Sequence, residues 1–398
     1  MIISKDLINN KSKFIEQIMI LICNEDEQLF NDLFTKDWDV FTEPLLFSYF
    51  NQRNRDKREL RLLFSGVVNF VHLSINFLDY GKSIYLPKFG FFFSDNDGFT
   101  NIEISSKNDE VFFFQGANSL VIRNIGKQFI GNHNFELLYQ PIRLLRQCYY
   151  DTDGNLLNVN VFDHNSKQFQ FLNNALDLIR KYVPEYYALL CIVLKKIVVF
   201  QCDSTLRNSF ADLAAHGVIF LNAYQSDYDE VFFVDDVAHQ AGHVIMNTLL
   251  FEKSEYLNVH YDTTVEEIIN DNIVVEKRNI LVIFHALYTY YTTFTCLDAC
   301  LKAKVFDKRQ THEALGRIKF YIFKCAHDLL CIDKKSQSID LNHPLFTGKG
   351  QAIFNAIREK QMYMINNYWN KIAKFKLDNQ PYNFTYSKFI KLNNLENV

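Results

Sequence analysis

The sequence predicts an α+β protein, mainly α. Apolar residues recur at helical spacing through long stretches of both halves, short β-like runs cluster in one window, and chain-breaking residues are scarce. Gly 13 and Pro 6 in 398 residues leave few interruptions, while Phe 38 and Tyr 21 supply bulky core material. Long helices joined by short turns follow from that balance. With 48% hydrophobic and 15% aromatic residues the chain can bury a sizeable core.

Taken in order, helical spacing runs from Lys5 to about Leu78, broken by the charged turn Asn51–Asp56. Between Ile84 and Ile122 the pattern changes to Phe89–Phe93, Thr100–Ile104 and Val111–Phe114, separated by Asp95–Gly98 and Lys107–Asp109, which is antiparallel hairpin or loop chemistry. A polar, Asn- and Asp-rich passage from Asp151 to Ser166 marks the expected boundary between an N-terminal region, 1–160, and a C-terminal domain, 161–398. That domain opens with a helix over Phe171–Arg180 and a second after Pro184. Two apolar runs, Lys196–Phe200 and Gly217–Asn222, then read as buried strands. Ser226 and Asp229 resemble a capping box for the next helix, and a long apolar helix is expected from about Asn279 to Lys302. No internal repeat or low-complexity linker interrupts this order.

Charge excludes one class of partner. Lys+Arg 42 against Asp+Glu 46 gives a formal net charge of -4, with no basic block to follow a phosphate backbone, so nucleic acid is not expected. The eight cysteines form no CxxC and sit mostly in apolar segments, as reduced thiols of a cytoplasmic protein would. The apolar run Ile18–Cys23 is short and flanked by Glu16 and Glu25, so neither membrane insertion nor export is expected.

The chemistry concentrates in Asp235–Asn247, where His239 and His243 stand four residues apart. On a helix that spacing aims both imidazoles at one point and makes a metal clamp. Hydrolytic zincins carry a glutamate after the first histidine as the base that deprotonates metal-bound water. Here Gln240 occupies this candidate catalytic position, and a neutral amide cannot take up that proton. Metal chemistry that needs no protein base, such as oxidation at non-haem iron, remains compatible. Val237, Ala238, Val244 and Ile245 imply a buried setting, Gly242 permits close backbone approach, and Asp236 stands where it could orient a ring. An ordinary pair of buried histidines bonded to backbone carbonyls is the competing reading.

The third ligand has two sources. His285 is a lone imidazole in an apolar helix, and Glu266 and Glu267 follow His243 at a spacing used by one zincin class. Arg278, two helical turns before His285 if that helix reaches back so far, is a candidate carboxylate clamp, with Arg317 the second candidate. His216 reads as a pocket or turn residue. His260, His312, His327 and His343 have no spacing that sets them apart.

On these residues the stretch 169–376 resembles the HExxH-motif family of iron- and 2-oxoglutarate-dependent peptide β-hydroxylases, which modify ribosomally made precursor peptides. The resemblance rests on Ser209–Asn222, on His239–His243 continuing into Asn247–Leu250, and on Arg278 followed by Phe284–Tyr288. It implies a zincin-like metal helix in the C-terminal half, with His239 and His243 as Fe(II) ligands and His285 and Arg278 as the matching downstream candidates for third ligand and cofactor residue. It further implies a precursor peptide as substrate, and the N-terminal region would hold that peptide. Gln240 departs from the family's glutamate. The alternatives are a zinc-dependent metallohydrolase and a catalytically inactive peptide-binding protein.

Overall fold

The computed structural model describes residues 2–80, 83–93, 101–151, 154–270, 273–338 and 344–395. The helices α1 (Ile2–Glu25), α2 (Glu27–Phe34), α3 (Pro44–Phe50) and α4 (Lys57–Leu63) come first. The strands β1 (Phe70–Asn76), β2 (Ser83–Leu86), β3 (Gly90–Phe93), β4 (Asn101–Lys107), β5 (Glu110–Gln115), β6 (Asn118–Leu120) and β7 (Arg123–Ile125) follow, then β8 (Glu136–Leu137) and β9 (Asn160–Val161). Next come α5 (Lys167–Tyr182), α6 (Pro184–Val193), β10 (Lys196–Gln201), β11 (Val218–Asn222) and α7 (Glu230–Leu249). The hairpin β12 (Thr264–Asn270) and β13 (Ile273–Asn279) leads into α8 (Ile280–Lys302), α9 (Lys308–Ser338), α10 (Gly348–Ile372) and α11 (Tyr386–Leu392). Helices dominate and the strands form small sheets, as α+β, mainly α, requires.

The chain forms two compact units that interleave along the sequence. One contains Met1–Asn10, Gln170–Ile192 and Gln225–Val398; the other contains Lys11–Phe169 and Val193–Tyr224. The polar passage after Asp151 does end near a unit boundary. A single split at residue 160 nevertheless fails, because the two apolar strands expected to lie in the metal-bearing domain pair elsewhere. Strand β10 lies between β11 and β8, parallel to both, with β9 antiparallel beside it. Pairing to Glu136 and Leu137 ties both strands to the unit that holds the N-terminal sheets.

In that second unit β1, β4, β5 and β6 form one antiparallel sheet, and β2, β3 and β7 another. The helical reading to Leu78 overshoots, since Phe70–Asn76 is β1, paired with β4. Its side chains alternate only loosely in burial, a pattern too weak to separate period 2 from period 3.6 by sequence. The expected turn Asp95–Gly98 lies outside the described residues. Strand β10 is buried from Lys196 to Phe200, the near-continuous apolar run that a parallel strand covered on both faces demands. Its one charged member is fully partnered: the Lys196 ammonium donates to the Tyr85 hydroxyl at 2.7 Å and to Glu136 at 2.7 Å, and pairs with Glu43 at 3.2 Å.

In the first unit α7 packs on α8, and α8 also packs on α9 and α10. Helix α7 starts from Asp229, whose carboxylate accepts the Val231 amide at 2.9 Å, so the cap is Asp229 itself and not a box begun by Ser226. Helix α8 starts at the expected residue, with the Asn279 side chain accepting from the Val282 amide at 2.9 Å. By length and composition α8 could cross a membrane, yet most of it is buried within its unit.

Candidate metal centre

Helix α7 is buried around almost its whole circumference, so every polar residue on it must be satisfied or carry a cost. Close approach of α8 makes the site. A side chain at Gly242 would come within 2.9 Å of the Thr292 hydroxyl and 3.2 Å of the Thr289 methyl, so only glycine lets the helices pack this tightly. Thr292 donates to the Ala238 carbonyl at 2.8 Å and fixes the crossing beside His239.

That crossing brings three sequence-predicted residues together. The rings of His239 and His243 have centroids 5.3 Å apart with planes at 71°, and those of His243 and His285 are 5.8 Å apart at 21°. Two imidazoles bound to one tetrahedral ion have centroids roughly 5 Å apart, given metal–nitrogen bonds of about 2.0–2.1 Å, so both neighbouring pairs are near that spacing. The three residues are largely but not fully buried, and among the described residues the buried His239 Nδ1 has no hydrogen-bond partner. Burial holds all three in the neutral form. It drives His239 far below the usual histidine range, helped by His243 and Lys324, and lowers His243 to about 4. His285 falls to about 3 through burial, then His243 and Lys253. Neutral imidazole with an uncommitted nitrogen is the form that ligates a metal, and on these observations the three residues fit one. The ligand nitrogens of the trio do not all lie within 4.8 Å of one another, so the rings must turn inward to share an ion. Tyr290 and Tyr321 line the same face, their rings 6.2 and 5.9 Å from His239.

Gln240 faces away from this chemistry. Its amide donates to Asp236 Oδ1 at 3.1 Å, one turn earlier on α7, so Asp236 holds Gln240. One turn below His239, Asp235 accepts from Arg317 at 2.7 Å and from Thr293 at 3.1 Å. Arg317 also donates twice to Glu313, at 2.9 and 2.7 Å, and its guanidinium lies 5.0 Å from the Phe384 ring centre. A guanidinium so enclosed has no face for a dicarboxylate, so Arg317 does not fit as a 2-oxoglutarate clamp.

Arg278 fails for a related reason. It lies on β13, not on the helix of His285, because Asn279 caps α8 after it; helical phase therefore cannot carry back to it. Its guanidinium makes a two-pronged pair with Asp328 at 2.8 and 3.0 Å and a further bond to Glu266 at 2.9 Å. The glutamates proposed as third ligands are equally engaged: Glu267 pairs with Lys277 at 3.1 Å, and Glu266 also meets His327 at 2.6 Å. His285 is the candidate that the fold brings to His243.

His216 belongs to the other unit, stacked on Phe14 at 4.7 Å and close to Phe47 at 5.2 Å, with burial lowering it to about 4. It packs there as an aromatic plate. His312 sits against Phe375 and Phe389, whereas His343 lies outside the described residues. Sequence reading missed Lys324, a half-buried cation on α9 that acts on His239. Its ammonium donates to the Tyr382 carbonyl at 2.7 Å and lies over the Tyr382 and Phe320 rings at 4.0 and 4.8 Å. Burial lowers it to about 8. No protein-family model matches this chain, and no curated protein matches it.

Proposed function

We propose that this chain is a mononuclear metal oxygenase whose ion is held by His239, His243 and His285, with Fe(II) the metal and a zincin-like metal helix in α7. The supporting observation is the combination of three desolvated, neutral imidazoles at a helix crossing with an amide, Gln240, where a hydrolase carries its base. A ribosomally made peptide, hydroxylated at a side-chain β-carbon, is the substrate class that the sequence resemblance implies. The zinc-hydrolase alternative lacks a carboxylate at the position after His239, where Gln240 stands. The co-substrate is less well supported, because both candidate arginines are engaged, Arg278 by Asp328 and Glu266 and Arg317 by Asp235 and Glu313. Among the described residues Lys324 is the cation that acts on His239 with no carboxylate within 4.0 Å, and a carboxylate entering here meets it.

Anaerobic loading with Fe(II), followed by oxygen with and without 2-oxoglutarate, tests this reading. Uncoupled formation of succinate by the wild-type protein, lost in His239→Ala and His243→Ala, supports it. Oxygen uptake that ignores 2-oxoglutarate keeps the oxygenase and removes this co-substrate. Zinc-dependent peptide cleavage would overturn the oxygenase in favour of the hydrolase.

A further inference from the structure

The face of α9 that meets the β12–β13 hairpin carries a different set of donors. His327 and Cys331 stand four residues apart on α9 and so share one face of the helix. Glu266, from β12, approaches them: its Oε1 lies 2.6 Å from His327 Nε2, and Cys331 Sγ lies 3.7 Å from the same nitrogen. The three ligand atoms all fall within 4.8 Å of one another. We propose that Glu266, His327 and Cys331 form a second metal site, separate from the histidine trio, that takes a divalent cation of the zinc type.

The donor set of one imidazole, one thiolate and one carboxylate suits a borderline-soft ion in tetrahedral geometry, with water as the fourth ligand. The spacing agrees in part without movement. Zinc–sulfur and zinc–nitrogen bonds of about 2.3 and 2.05 Å place tetrahedral S and N donors about 3.6 Å apart, and the observed separation is 3.7 Å. The matching N to O separation is about 3.4 Å, so the 2.6 Å contact to Glu266 must open by under an ångström. His327 is exposed and its ring can turn that far; the same exposure leaves room for water. Glu266 is fixed from behind, because its Oε2 accepts from Arg278 and Arg278 is locked to Asp328 by two bonds. Such outer hydrogen bonds orient a ligating carboxylate. Charge also balances: with the thiol deprotonated, two carboxylates and a thiolate against one guanidinium leave two negative charges for a divalent ion. Binding forms the sulfur–metal bond and releases the thiol proton to solvent.

Cobalt(II) reports this site directly, because a cobalt-bound thiolate has a near-ultraviolet charge-transfer band that imidazole and carboxylate ligands do not give. The full-length, metal-free protein is titrated anaerobically with Co(II). The wild type should develop the band, Cys331→Ser should lose it, and His327→Ala should weaken the binding that produces it at least tenfold. His243→Ala should leave the band intact, which separates this site from the trio and makes the result independent of the oxygenase reading. Absence of the band in a folded wild type overturns the proposal, as does a band that survives Cys331→Ser. His327 is exposed, so His327→Ala tests the ligand without disturbing the core.

Discussion

One helical turn of α7 separates two regions that treat buried polar groups in opposite ways. Around Asp235, Arg317 donates to both Asp235 and Glu313 while Thr293 adds a bond, so charges and hydrogen bonds compensate one another inside the unit. Around His239, ring centroids lie 5.3 and 5.8 Å apart, the first pair edge-on and the second near-parallel, and among the described residues His239 Nδ1 has no hydrogen-bond partner. A fold that only needed α7 and α8 to pack would do better with apolar residues at the second position, because an unpartnered buried polar group costs roughly 1–3 kcal/mol. The lower turn holds the helices together, and the upper turn is where the proposed metal would bind. His216, in the other unit, packs differently: its ring stacks on Phe14 and lies tilted against Phe47.

The largest effect expected of this contrast falls on stability. Arg317→Met removes the cation from between Asp235 and Glu313 and leaves two buried carboxylates facing each other, at a cost of about 3–5 kcal/mol. Urea unfolding of the metal-free protein measures it. In the surviving folded fraction, metal affinity should stay within a few-fold of wild type. A similar loss of metal binding and stability would merge the two regions into one functional unit.

The converse substitution should behave in the opposite way. His243→Leu exchanges a desolvated imidazole for an apolar side chain of similar size, so metal-free stability should hold or rise. Affinity for the trio's metal should fall about a hundredfold, equivalent to about 2.7 kcal/mol. Competition against a chelator, in a Cys331→Ser background that silences the second site, isolates this number. Unchanged affinity would leave the trio as a packing feature.

Much of this was legible in the sequence because it is local. Helical spacing put His239 and His243 on one face, Asn279 marked the start of α8, and unbroken apolar runs located β10 and β11. What depends on distant partners was hidden. Arg278 was misplaced because a strand-to-helix junction at Asn279 breaks the phase that would have aligned it with His285. The pairing of β10 with β8, which interleaves the two units, is a contact across some sixty residues that periodicity does not encode. The same holds for Glu266 and His327, which are 61 positions apart. His327 was passed over because its i, i+4 partner is a cysteine and not a second histidine, and the third donor comes from a hairpin whose position only the fold defines.

Acid sharpens the comparison further. His243 is lowered to about 4 by burial against an unfolded value of about 6.5. The unfolded chain therefore takes up this proton first as pH falls, and the associated stability is full above pH 6.5 and is lost between 6.5 and about 4. The metal-free wild type should lose about 2 kcal/mol more than His243→Leu between pH 7.5 and pH 5. Denaturant midpoints at the two pH values give the difference. Parallel losses in the two proteins would mean that the His243 ring is already solvated and charged when folded.

The smallest effect concerns Gln240, which stands between the regions. Its amide donates to Asp236 at 3.1 Å, and Gln240→Glu replaces that donor with a second carboxylate one turn away. The lost bond and the like-charge contact should lower stability at neutral pH by about 1 kcal/mol, and adding Asp236→Asn, whose amide can donate to the new carboxylate, should restore it. Thermal melts of the single and double variants at pH 7.5 read the coupling. If the coupling appears while metal affinity stays fixed, Gln240 belongs with the Asp235 network as a structural residue, and the missing hydrolytic base was never part of this site. If metal affinity moves instead and the melts do not, the carboxylate has swung to the histidine side, and Gln240 is the residue that keeps negative charge away from the metal.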